Sequence, residues 1–110
     1  MPSTSFQLLS GSANGAAISL NNQITLHTSP VGTGSQDHVY VSIWSNSPNA
    51  RNVDLDISGT RVLKGVPIPT SGFAIMVMRG DAPVQNGVLV GAVANGPDVW
   101  ATGYVIRQTY

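Results

Sequence analysis

The sequence contains no cysteine and no glutamate, has one lysine (Lys64), and draws only 9% of its 110 residues from the charged types. Without Cys there is neither a disulfide framework nor a thiolate metal site, so packing and partner subunits must hold the fold. Glu and Lys usually cover helix surfaces because they lose little freedom there; their scarcity excludes amphipathic helices as a main element. Five basic residues, four of them Arg, balance five Asp. A chain of zero net charge with no basic stripe lacks the counterion-release term that drives nucleic-acid binding. No apolar run approaches the length of a membrane-spanning helix, and Met1-Pro2-Ser3-Thr4-Ser5 has neither the positive patch nor the apolar stretch of a signal peptide, so neither membrane insertion nor export is expected.

What is present points to strands and turns. Val, Ile and Thr supply 28 residues, and Gly, Pro, Asn, Ser and Thr together supply 47, enough for turns at short intervals and for polar, uncharged strand faces. The length fits one domain, 1–110, with residues 1–9 as a possible N-terminal arm. A surface with so little charge also associates more readily with itself or a partner.

Segment 23–28, Gln-Ile-Thr-Leu-His-Thr, alternates apolar with polar, which places His27 on the wet face of a half-buried strand. In 38–46, Val39, Val41 and Ile43 share one face while Tyr40 and Trp44 share the other; both faces carry apolar mass, so one meets the core and the other a loop, an arm or a subunit. After Ser47-Pro48-Asn49, the alternation of 51–57 reads as the second arm of a hairpin with a somewhat long loop. Segment 61–69 contains two Pro and belongs at an edge or in a crossing connection. Further strands are expected at 73–78, 88–94 and 98–107, besides weak ones at 6–9 and 17–20. The expectation is an all-β, antiparallel β-sandwich of jelly-roll or Greek-key kind, with seven or eight strands.

Few groups here can do chemistry. His27, Asp37 and His38 could orient one another beside a nucleophilic Ser, but no Ser sits in a Gly-x-Ser-x-Gly elbow, and hydrogen-bonding His residues at strand ends are the plainer reading. Asp54 and Asp56 emerge on one strand face rather than across a cleft, so they suit solvated charge better than glycoside hydrolysis or calcium binding. Arg79-Gly80-Asp81 spells a receptor-adhesion tripeptide, a cheap match at a turn. Trp44, Trp100, Tyr40, Tyr104 and Tyr110 could form a platform for sugar rings, though strand aromatics more often pack in a core; Trp100 and Tyr104, four apart, must share a face. No catalytic residue, metal or cofactor is expected.

Taken together, segments 23–28 with its Pro/Gly turn, 38–46, Val53-Asp54-Leu55-Asp56-Ile57, Ile68-Pro69-Thr70-Ser71-Gly72, 85–90 and Gly103-Tyr104-Val105-Ile106-Arg107 resemble small structural proteins of tailed bacteriophages. The resemblance covers about residues 23–107 and rests on strand and turn patterns. It implies a non-enzymatic virion component, made in the host cytoplasm and placed on the outer capsid, where a decoration or cement protein binds the major capsid protein. A homo-oligomer is expected, with a trimer favoured over a dimer. The alternative is a carbohydrate- or receptor-binding sandwich module. The residues expected at a partner interface are Phe6, Leu8, Tyr40, Trp44, Trp100 and Tyr104, with the arm free to add a strand to a neighbour.

Overall fold

The segment with apolar residues on both faces forms β4 (Ser35–Ser45), which pairs along its whole length with β9 (Val99–Thr109). Their odd-numbered residues point inward, burying Val39, Val41 and Ile43 on β4 and Val99, Ala101 and Val105 on β9. This computed structural model describes residues 2–70, 72–80 and 83–110. Around the central pair lie β1 (Ser3–Leu8) and β2 (Ile18–Ser19), both along the far side of β9, and β7 (Ile75–Arg79) beside β4, completing sheet A. Sheet B has the order β3 (Ile24–Thr28), β8 (Leu89–Ala94), β5 (Arg51–Ile57), β6 (Thr60–Ile68). Every named pairing is antiparallel.

The pairings β2 with β9, β3 with β8, β4 with β7 and β5 with β6 describe one long hairpin whose tip is Ser58-Gly59, both at positive φ as a tight two-residue turn requires. Rolled up so that β4 meets β9 and β5 meets β8, this hairpin is the eight-stranded jelly roll. β1 is a ninth strand, so the expected seven or eight become nine. Leu26, Val53, Leu55, Val90 and Ala92 from sheet B meet the inward side chains of sheet A in one core.

One expectation is corrected. β4 and β5 form no hairpin, because residues 46–50 carry the chain from sheet A to sheet B. β4 is already flanked by β9 and β7, and local serine bonds turn the backbone away: Ser47 N–H donates to Ser45 Oγ (3.0 Å), and Asn49 N–H to Ser47 Oγ (3.1 Å). Residues 3–8 of the arm form β1, which pairs through one edge with this chain's own β9, Ser3 opposite Thr109 through Leu8 opposite Tyr104. The Pro-containing segment does lie at an edge, as β6.

Gly103 lies opposite Val41, where a Cβ would run into the Tyr40 carbonyl oxygen. Backbone cannot yield as a side-chain tip can. Gly103→Ala is therefore expected to lower stability by about 1–3 kcal/mol, the range for overpacking, read as a fall in the denaturation midpoint with the slope unchanged.

Candidate functional site

Two constellations stand out, one buried and one exposed. The buried one begins with an irregularity in β3. The β3–β8 register shifts between Thr25 and His27, so Leu26 and His27 are consecutive in sequence yet both buried. The bulge turns His27 inward, contrary to the wet-face expectation, because an extra residue reverses the alternation beyond it. His27 is 1% exposed and reaches Asp37 on the opposite sheet, its Nε2 lying 2.6 Å from Asp37 Oδ2. Ser10 N–H donates to His27 Nδ1 at 3.0 Å. Nδ1 therefore carries no proton, and Nε2–H is the donor to the carboxylate.

Asp37 is fully buried and also accepts from Arg107, the residue paired with it across the ladder: Nε to Oδ1 at 2.8 Å and Nη2 to Oδ2 at 3.1 Å. Its backbone exchanges two 2.8 Å hydrogen bonds with Val84. Burial pushes the Asp37 carboxyl up, but the hydrogen bonds from Arg107 and His27, together with Coulombic attraction, outweigh it and hold the group below its ordinary 3.8. Arg107, with its side chain 26% exposed, is held charged by the same bond. This cluster ties β3 to β4 and β9, and so sheet to sheet.

Of the three residues considered for chemistry, the structure brings together His27 and Asp37 and sends His38 to the outer face of sheet A, where its Nδ1 lies 3.1 Å from Gly80 O. Both His27 nitrogens are engaged by protein. The Ser10 hydroxyl instead accepts from Thr28 N–H at 2.7 Å. The cluster has the parts of a proton relay, but both ring nitrogens are already bonded within the protein, and His27 and Asp37 are 1% and 0% exposed.

On the outside of sheet B, Arg61 makes ion contacts of 3.0 Å to Asp54 Oδ2 and 3.0 Å to Asp56 Oδ1, the latter oxygen buried without a hydrogen bond. Asp54 also accepts from Gly65 N–H at 2.7 Å. Both acids are thus committed to the β5–β6 hairpin. Shallow hollows of about 240 and 310 Å³ flank them, one lined by Asn52, Lys64 and Asn95, the other by Gln23, Thr25 and Leu89. Of Arg79-Gly80-Asp81, Asp81 lies outside the described residues; Gly80 packs under the Tyr40 ring. Among the described residues, no three His, Cys, Asp or Glu side chains gather to hold a metal, and no helix is long and apolar enough to cross a membrane.

The exposed constellation is the outer face of sheet A. Opposed residues of an antiparallel ladder share a face. Trp44 stands opposite Trp100, Tyr40 opposite Tyr104, Leu8 opposite Tyr104 and Phe6 opposite Ile106. All six residues expected at an interface therefore lie on one face. Tyr40 and Tyr104 stack with centroids 4.7 Å apart at 9°, and Phe6 continues the stack on Tyr104 at 5.5 Å and 20°. Tyr110 stands apart, its hydroxyl donating to Gln36 Oε1 at 2.8 Å. Met76 and Ile106, not singled out in the sequence, extend the apolar surface, and no carboxylate from β1, β4, β7 or β9 points to it. β1 has its alternation reversed relative to the core: Ser3, Ser5 and Gln7 take the inner side, while Phe6 (62% exposed) and Leu8 (45% exposed) face out. On β1 the apolar side chains are thus the ones turned toward water, although the opposite phase would have placed them on the core side. The sequence matches no protein-family model and no curated protein.

The buried cluster makes a pH-dependent contribution to stability. Because the native Asp37 pKa lies below the unfolded one, its contribution is fully present above about pH 3.8 and is lost as pH falls from there through the native value. Asp37→Asn is expected to cost roughly 3–5 kcal/mol at neutral pH, since it leaves Arg107 without its counter-charge. The variant should also show a shallower fall of melting temperature with acid than the wild type.

Proposed function

We propose that this chain is a non-enzymatic structural protein of a tailed-phage virion, a decoration or cement subunit that seats the outer face of sheet A on the major capsid protein. The observation that carries the reading is the gathering of Phe6, Leu8, Tyr40, Trp44, Trp100 and Tyr104 on one sheet face, with the Ser42–Thr102 pair between the tyrosines and the tryptophans and no carboxylate from β1, β4, β7 or β9 among the described residues. A face of that kind adheres by burying aromatic area, and many weak copies on a repeating shell add up through multivalency. The virion setting rests on the phage-protein resemblance of residues 23–107. Jelly rolls recur in capsid and in lectin domains alike, so fold analogy by itself leaves both readings standing.

Ring geometry at the tyrosines supports the first reading. Sugar platforms offer the flat faces of aromatic rings to the ligand. Here Tyr40 and Tyr104 use their faces on each other, and Tyr104 and Phe6 do the same, so the stack turns ring edges outward. That favours packing against a protein surface over stacking on a pyranose.

The test is occupancy on purified shells that lack the protein. Tyr104→Ser and Trp100→Ser are each expected to weaken binding by roughly 30-fold or more, as central aromatic anchors do, with the far-UV spectrum and the melting transition retained. Unchanged occupancy in both variants contradicts the reading; binding to a glycan array that these variants abolish transfers the face to the carbohydrate alternative.

A further inference from the structure

Four long strands border the two sheets, and three of them are built to refuse another strand. β3 carries the bulge at Leu26. β7 carries a register shift against β4 and ends in Arg79. β6 shifts register twice against β5, holds Gly65 at positive φ, and contains Lys64 and Pro67. Bulges, charges and proline are the devices that keep edges from pairing. β1 has none of them: its six residues, Ser-Thr-Ser-Phe-Gln-Leu, keep an unshifted register with β9 and carry no charge and no proline.

The ladder also tells which of its groups are free. Leu20 N–H donates to Val99 O on the β1–β2 side of β9, while Asn46 N–H donates to Asp98 O on the β4 side. Backbone groups alternate sides along a strand, so the odd residues of β9 bond toward β1. Their opposites Ser3, Ser5 and Gln7 therefore bond to β9, which leaves the N–H and C=O of Thr4, Phe6 and Leu8 directed at the open edge. Beyond Leu8 the chain turns toward sheet B, with Ser10 N–H on His27 and Gly11 N–H on Leu26 O.

We propose that β1 pairs antiparallel with β1 of a second copy about a two-fold axis at Phe6. Thr4 then stands opposite the partner's Leu8 and Phe6 opposite the partner's Phe6, an isologous contact in which each free donor meets a free acceptor. The two sheets A become one continuous sheet. The two Phe6 rings, exposed in the single chain, meet on its outer face and join the Tyr40–Tyr104–Phe6 stacks of both copies into one row. The pairing uses the edge rather than the face, so it stands whatever the face binds, and it offers that face in duplicate. It selects the dimer over the trimer expected from the sequence.

Sedimentation equilibrium from about 1 to 200 µM at physiological salt reads the association directly. The wild type is expected at twice the chain mass of 11.5 kDa. Phe6→Lys places two cations against each other at the axis, and Thr4→Pro removes an outward N–H without touching the β9 ladder; each should weaken the dimer roughly tenfold or more while the fold's melting temperature stays near wild type. Amide exchange of Thr4, Phe6 and Leu8 should slow as concentration rises, with Ser5 and Gln7 protected throughout. A chain that is monomeric across the range, a trimer, or a dimer whose β1 amides and affinity ignore both variants overturns the proposal.

Discussion

The unbroken ladder between β4 and β9 is the constraint on which the rest of the molecule depends. Eleven consecutive pairs, from Ser35 opposite Thr109 to Ser45 opposite Val99, run without a bulge through the middle of sheet A. Because side chains alternate strictly, that register puts Val39, Val41, Ile43, Val99, Ala101 and Val105 into the core, and the same register puts Tyr40, Trp44, Trp100 and Tyr104 on the opposite side. A slip by one residue would exchange the two sets. The core and the outer aromatic face are therefore one decision made twice, and neither can be altered without the other.

Asp37 and Arg107 follow from the same register, for they are an opposed pair on the inward side. A buried carboxylate is costly unless every lone pair finds a donor. Here Arg107 supplies two donors from the neighbouring strand and His27 a third from across the core. Their geometric consequence matters more than their net energy. The bonds work only when sheet B lies where the β3 bulge can present His27, so the cluster fixes the stacking of the two sheets rather than merely filling space.

Much of this was legible from residue order alone. The two-faced character of 38–46 and the common face of Trp100 and Tyr104 follow from period-two alternation, and Pro67 with Pro69 left 61–69 a place at an edge or in a crossing connection. What alternation does not reveal is where it breaks. The bulge that turns His27 inward has no Gly or Pro to mark it, and the departure of β5 to the other sheet depends on β4 already having two neighbours, which is a tertiary fact. The pairing of Asp37 with Arg107 did leave a signal: both occupy odd positions among Val39, Val41 and Val105, where an apolar residue belongs. A charge out of phase on each of two strands is how such a clasp shows in sequence. The reversed phase of β1 is a signal of the same type, seen only once its register with β9 is known.

In the proposed function, the outer side of sheet A is the surface covered when the protein binds its shell. Oxidative footprinting by mass spectrometry, comparing the free chain with the chain bound to capsid shells, examines that claim side chain by side chain. Protection of Trp44, Trp100, Tyr104 and Met76 on binding, with Leu63 and Leu89 on sheet B still labelled, is the predicted outcome. Protection of the sheet B residues with the aromatic row labelled as in free solution would contradict it.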